Sequence, residues 1–199
     1  MNKKVLLITL IALVVLLAIA GVLYPRLSSG MQAQQLATTP PATTHATEET
    51  TAETEATQPE TIPAPDFTVL DWDGNEVEFS EFVGKPIVLN FWAHWCGPCQ
   101  MEMPEFNAKY EELEGEVTFL MVHVGADIDA GKEKVTDGGY TFPVVFDKDS
   151  QVAAFYGVSA FPTTFFIDSD GNLQAYYMGA MDANLLQQGI DMIYAAKSE

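Results

Sequence analysis

The sequence predicts a layered α/β domain with a mixed central sheet flanked by helices, preceded by two non-globular segments. Three observations predict it. Short apolar runs alternate with helix-like segments between residues 87 and 156. Asp71-Trp72-Asp73-Gly74-Asn75 and Asp168-Ser169-Asp170-Gly171-Asn172 each separate two strand-like runs, as hairpin turns do. The composition also changes at Pro63, from polar and Thr-rich to globular. Strands alternating with helices, then a hairpin and a terminal helix, give such a layered domain.

The chain of 199 residues begins with a short basic stretch, Met1–Lys4. Val5–Tyr24 then runs for 20 residues without a charge. At ~1.5 Å per residue this reaches roughly 30 Å, enough to cross a bilayer's hydrocarbon core. A cleaved signal usually has a shorter core and a small-residue cleavage site. No such site follows Tyr24, so 1–27 reads as an uncleaved transmembrane signal anchor, with a cleaved signal as the alternative. Either one exports the rest of the chain. Lys3 and Lys4 favour a cytoplasmic N-terminus and an extracytoplasmic domain, hence a single-pass protein of the cell membrane. No cysteine follows the apolar run, which excludes a lipoprotein anchor.

Residues 28–62 are rich in Thr, Ala, Pro and Glu and nearly free of large apolar side chains. Such a segment cannot bury enough surface to offset its ordering entropy, and is expected to be a disordered linker. A tether of ~35 residues has a span on the order of 30–35 Å, more when stretched by charge and proline.

The domain is expected over 63–199. Phe67–Leu70 and Glu76–Phe79 form the first hairpin. Ser80 is placed as the cap of one helical turn ending near Gly84. Ile87–Ala93 is almost wholly apolar, as a strand buried on both faces should be. Gly97 to about Leu113 reads as a helix interrupted by Pro104, where a backbone donor is lost. Val117–Val124 is a second central strand. A helix follows around Ala130–Asp137, then a strand at Pro143–Phe146 and a short helix at Ser150–Tyr156. Thr163–Asp168 and Leu173–Met178 form the second hairpin. Asp182 caps a last helix running to about Lys197.

The formal net charge of −19 and the single arginine, Arg26, argue against nucleic acid, whose binding requires Lys and Arg against phosphates. The chemistry concentrates in Trp95-Cys96-Gly97-Pro98-Cys99, which holds both cysteines. A C-x-x-C pair closes too short a loop to act as an effective staple. It places one sulfur at a helix N-terminus, where partial positive charge and unpaired N–H groups stabilise a thiolate. Thiol–disulfide exchange requires such a thiolate. Cys96, at the strand-to-helix junction, is read as the nucleophile and Cys99 as the resolving thiol. Trp95 offers a flat apolar contact beside the sulfur. A zinc half-site or an inert pair is the competing reading, but zinc usually needs four ligands and no second C-x-x-C exists.

The run NFWAHWCGPC, with Phe161-Pro162-Thr163-Thr164 and the hairpin-plus-helix finish, resembles the thioredoxin superfamily. Within it, the chain is similar to the TlpA/ResA-like membrane-tethered thiol–disulfide oxidoreductases, over about 64–197. The resemblance implies a thioredoxin-like fold with an N-terminal hairpin and a segment, Gly125 to Phe142, inserted after the second central strand. Three details separate the chain from cytosolic thioredoxins. Asn90 stands where those carry a buried Asp, and Asn cannot accept a proton. Glu102 matches the glutamate that ResA-like proteins carry three residues after the second cysteine. The inserted segment is the third. If Glu102 is partly buried, its pKa rises and it can trade protons with the thiols. Pro162 matches the family's cis-proline. That match implies that Phe161 presents its backbone to an extended substrate.

The resemblance implies a protein-disulfide reductase needing no cofactor beyond a redox-active Cys96–Cys99 disulfide, and no metal. It implies a CcdA-type membrane thiol carrier as electron donor. The implied substrates are exported protein disulfides, such as apocytochrome c or methionine sulfoxide reductases. An oxidase that forms disulfides in exported proteins is the alternative, and a non-catalytic metallochaperone a more distant one. Antioxidant peroxidase activity is not expected. Peroxidases on this fold pair a T-x-x-C pocket with an arginine, but Ala93 holds the Thr position and Arg26 lies beside the anchor. A copper site of the related Sco type, with His123, is opposed by the C-x-x-C spacing. His94 is read as a solvated neighbour of the site, with support of the thiolate when protonated as the alternative, and His123 as a satisfied core or strand-end histidine.

Overall fold

A computed structural model describes residues 61–113 and 115–195. The expected anchor, and the linker apart from residues 61 and 62, lie outside the described residues. Seven strands form one sheet in the order β2-β1-β5-β4-β3-β6-β7. They are β1 (Thr68–Leu70), β2 (Glu76–Glu78), β3 (Ile87–Trp92), β4 (Thr118–Val124), β5 (Val144–Asp147), β6 (Thr163–Ile167) and β7 (Leu173–Met178). Among the described residues, four α-helices accompany them: α1 (Gly97–Glu112), α2 (Ile128–Gly138), α3 (Gln151–Phe155) and α4 (Ala183–Ala195). β3, β4 and β5 run parallel, and every other pairing is antiparallel. The fold is the expected thioredoxin-like one, and the inserted segment supplies α2.

The two faces of the sheet separate by residue parity along β3. Ile87, Leu89 and Phe91 pack with Leu120, Val122, Phe165 and Tyr156. Val88 and Trp92 face the other way, onto Phe106 of α1 and Leu186, Ile190 and Ile193 of α4. Strands side by side in mid-sheet have both faces covered, which is why β3 reads as continuous apolar sequence. Each fully buried large apolar side chain contributes ~1.5–3 kcal/mol. Asn90 falls on the α1 face, the single polar residue of a wholly buried strand.

Two local expectations are corrected. Ser80 caps nothing. The turn at Phe79–Phe82 is a 3-10 helix capped by Glu78, in a reciprocal box with Glu81. The reason is competition: Glu81 reaches back to the Glu78 N–H at 3.1 Å, the arrangement of a capping box. Nor does Pro104 interrupt its helix, which continues through it to Glu112. Asp182 does cap α4, accepting from the Leu185 N–H at 2.9 Å.

α4 lies close to the sheet because of Gly189. A Cβ there would run into the Phe166 ring of β6. Alanine would gain ~1 kcal/mol of helix propensity on an open face. Overpacking a core typically costs about 1–3 kcal/mol, and here it should win. Gly189→Ala is therefore expected to lower the urea midpoint, with a net loss of up to about 2 kcal/mol.

Candidate active site

The site forms at the carboxyl end of β3, one of the interior strands, where the chain turns into α1. Open α/β sheets characteristically place sites there. Cys96 is the N-cap of α1. Its Sγ accepts from the Cys99 N–H at 3.2 Å. Its own N–H donates to the Ala93 carbonyl at 3.0 Å, closing the turn. Pro98 sits in the first helical turn, where no donor is lost from the helix ladder. Cys96 and Cys99 are joined as a disulfide. Cys99 is wholly buried and Cys96 nearly so, leaving Cys96 the more accessible sulfur.

Trp95, next to Cys96, is 67% exposed. The Trp95 ring meets Phe161 edge-on at 5.9 Å. This contact brings the Phe161–Pro162 turn beside the cysteine motif. The Phe161–Pro162 bond is cis. The Pro162 carbonyl is taken by the Gly179 N–H at 2.8 Å. Gln100 carries no signal in the sequence. Gln100 Nε2 donates to the His94 carbonyl at 2.7 Å, tying the motif's approach to α1.

Beneath the disulfide lies a carboxyl group. Cys99, Glu102, Met103 and Phe106 form the buried stripe of α1, at the spacing of one helical face. Glu102 is 1% exposed. One oxygen accepts from Asn90 Nδ2 at 2.9 Å, and the other from the Met181 N–H at 2.9 Å. Asn90 Nδ2 also meets Thr164 Oγ1 at 2.9 Å. Burial pushes the Glu102 carboxyl up to about 8, against the lowering effect of the Met181 and Asn90 donors. A carboxyl group so placed can hold or release a proton near neutral pH, one helical turn from Cys99.

His94 is not simply solvated. Its Nδ1 lies 3.1 Å from Nε2 of His123, and the rings stack at 5.3 Å. His123 is fully buried between Trp92 and Phe146, with its Nδ1 unpartnered. It is a core histidine, as expected, but only half satisfied. Gly131 of α2 makes room for it, since a Cβ there would come within 2.8–2.9 Å of three ring atoms. Burial, reinforced by His94, holds His123 down to about 4, with Asp127 pulling the other way. Among the described residues, no group of three His, Cys, Asp or Glu gathers to hold a metal ion.

The model of the AhpC/TSA family matches residues 61–176. The thiol–disulfide oxidoreductase ResA of Geobacillus thermodenitrificans is 39% identical over 132 residues, covering 65% of this chain and 75% of that protein. ResA of Bacillus subtilis is 35% identical over 131 residues, covering 65% and 73%. Among solved structures, a putative thiol:disulfide interchange protein DsbE from Chlorobium tepidum aligns with a TM-score of 0.61 at 29% identity. That alignment covers 67% of this chain and 96% of the other. The dsbF protein described as MTB, in mixed oxidised and reduced forms, aligns at 0.58 and 32% identity, covering 64% and 94%.

Glu102 and His123 set opposed pH slopes for stability. Glu102 is raised from an ordinary 4.5. Its contribution is full below that value and is lost as pH rises through about 8. His123 is lowered from 6.5. Its contribution is full above 6.5 and is lost as pH falls through about 4. The slopes oppose each other between 4.5 and 6.5, and above 6.5 Glu102 acts alone. Urea unfolding of the oxidised protein should therefore show stability falling from pH 6.5 to 8. The expected slope is at most ~1.4 kcal/mol per pH unit. Glu102→Gln should flatten that fall, and an equally steep fall in the variant would contradict the buried-carboxyl assignment.

Proposed function

The chain belongs to the AhpC/TSA family and, within it, to the ResA-type thiol–disulfide oxidoreductases, and from that premise we propose that it reduces disulfides in exported proteins. The observation that carries thiol–disulfide exchange is the Cys96 sulfur at the N-cap of α1, with the Cys99 N–H directed at it, while the reducing direction rests on the likeness of Cys96-Gly97-Pro98-Cys99 to the low-potential thioredoxin pair. In the reduced form that position favours thiolate over thiol. The Cys96 thiolate attacks one sulfur of the target disulfide. A mixed disulfide forms and one target thiolate leaves. Cys99 then loses its proton and attacks Cys96 Sγ. This releases the second target thiolate and leaves the Cys96–Cys99 disulfide. Two electrons pass from the dithiol to the target.

Glu102 is the base that takes the Cys99 proton, through its burial and its place one turn further along α1. Trp95, Phe161 and Pro162 bind the substrate, with Trp95 as apolar platform and the Phe161 backbone as pairing edge. No cofactor beyond the redox disulfide is required by these steps. Electrons return from a CcdA-type membrane thiol carrier, and apocytochrome c and methionine sulfoxide reductases are the substrate types. Val5–Tyr24 anchors the chain, with the domain outside the membrane on the 28–62 tether. Among the described residues no helix is long and apolar enough to cross a membrane, and Val5–Tyr24 lies outside them.

Cys99→Ala should accumulate mixed disulfides with target proteins through Cys96, visible as adducts that dissolve under dithiothreitol. Adducts formed only by Cys96→Ala would reverse the two roles. The reductase direction predicts a reduction potential near the thioredoxin value of about −270 mV, and a potential above about −150 mV would overturn it.

A further inference from the structure

Asn90 has an uneven set of contacts. Its Nδ2 serves both Glu102 Oε1 and Thr164 Oγ1, each at 2.9 Å. Its Oδ1 is buried and has no partner at all. The contacts shown suit Glu102 as a carboxylate, which accepts N–H bonds from Asn90 and Met181. Once Glu102 carries a proton on Oε1, that oxygen becomes a donor and needs an acceptor. An unsatisfied buried donor costs about 1–3 kcal/mol.

We propose that Asn90 is a two-position amide switch. Nδ2 faces Glu102 when the carboxyl is ionised. A 180° turn of the amide presents Oδ1 when the carboxyl is protonated, and the Thr164 hydroxyl accepts or donates to match. This rests on the reading of Glu102 as the proton exchanger for Cys99. A hydroxyl is the one neutral group here that suits both settings, because it is donor and acceptor at once. Each setting leaves one end of the amide unpartnered, Oδ1 in the first and the two N–H donors in the second, and the turn follows when the bond from protonated Glu102 outweighs that difference. An aspartate at position 90 could not work this way. Ionised, it has no donor for the carboxylate.

Few other titratable groups surround Glu102. Cys99 shares its helix and Cys96 caps it. Tyr177 of β7 is the register partner of Thr164. Asp182 follows Met181 but is exposed and committed to the α4 N-terminus. β3 and β6 contribute no ionisable side chain.

The test uses the oxidised full-length chain in detergent micelles, where the cysteines do not titrate. Glu102 is followed by its 13C carboxyl resonance and Asn90 by its side-chain amide 15N and 1H resonances. The Asn90 amide signals should shift with the midpoint of Glu102. Asn90→Ala should raise that midpoint by about one pH unit, because the bond to the charged form is the stronger of the two lost. Asn90 signals that stay fixed across the Glu102 titration, or an Asn90→Ala midpoint unchanged or lowered, would overturn the proposal. If Asn90→Ala does not fold, the titration of the unaltered protein decides alone. Proton transfer to thiols plays no part in this experiment. Its failure is therefore distinct from a failure of Glu102 as the base, which shows only in the reduced protein.

Discussion

The site depends on a carboxyl group held inside the protein. Glu102 occupies a core position on the buried face of α1, between Cys99 and Met103. Burying an ionised carboxylate is expensive unless hydrogen bonds compensate, and neutralising it by protonation is the alternative. The fold provides both outlets. Asn90 and the Met181 N–H donate to the charged form, while burial favours the neutral one. Burial outweighs the two donors and leaves the group raised to about 8. Neither a solvated glutamate nor a fully desolvated one without donors would sit there.

This constraint joins elements distant in sequence. β3 supplies Asn90, β6 supplies Thr164, and the segment before α4 supplies Met181. α4 stays close to the sheet through Gly189 against Phe166, which also positions the start of that helix near α1. The opposite requirement governs Cys96. It needs the helix N-terminus and limited contact with solvent, and the turn out of β3 supplies both. One sulfur is therefore the more accessible, while the other shares the buried helical face of the carboxyl. The pair is asymmetric because helix end and helix interior are electrostatically different places.

Local features were the most legible in the sequence. β3 and β4 are readable because strands covered on both faces are apolar throughout. The C-x-x-C pair carries its chemistry in its spacing. Asp182 capped α4 as its position implied. Ser80 misled because a rival cap, Glu78 with Glu81, lies beside it. The burial of Glu102 follows from the 99, 102, 103, 106 spacing once the helix is placed. Its partners could not be read in the same way. Thr164 is 74 residues from Asn90, and Met181 is 79 from Glu102. Only the sheet register and the docking of α4 bring them together. A signal was present in Asn90, the lone polar residue of IVLNFW. From sequence it signals only a missing proton acceptor, whereas the structure makes it a donor. The His94–His123 pair was hidden for the same reason, since contact between β4 and the turn after β3 is tertiary.

The central claim is that Glu102 and the dithiol share protons. The direct measurement is the pH titration of thiolate absorbance in the reduced protein, unaltered and with Glu102→Gln. The unaltered protein should titrate in broadened, coupled steps, because the charge on Glu102 and that on the Cys99 sulfur oppose one another. Glu102→Gln should remove the coupling and move the later step to lower pH. Superimposable curves would contradict the account.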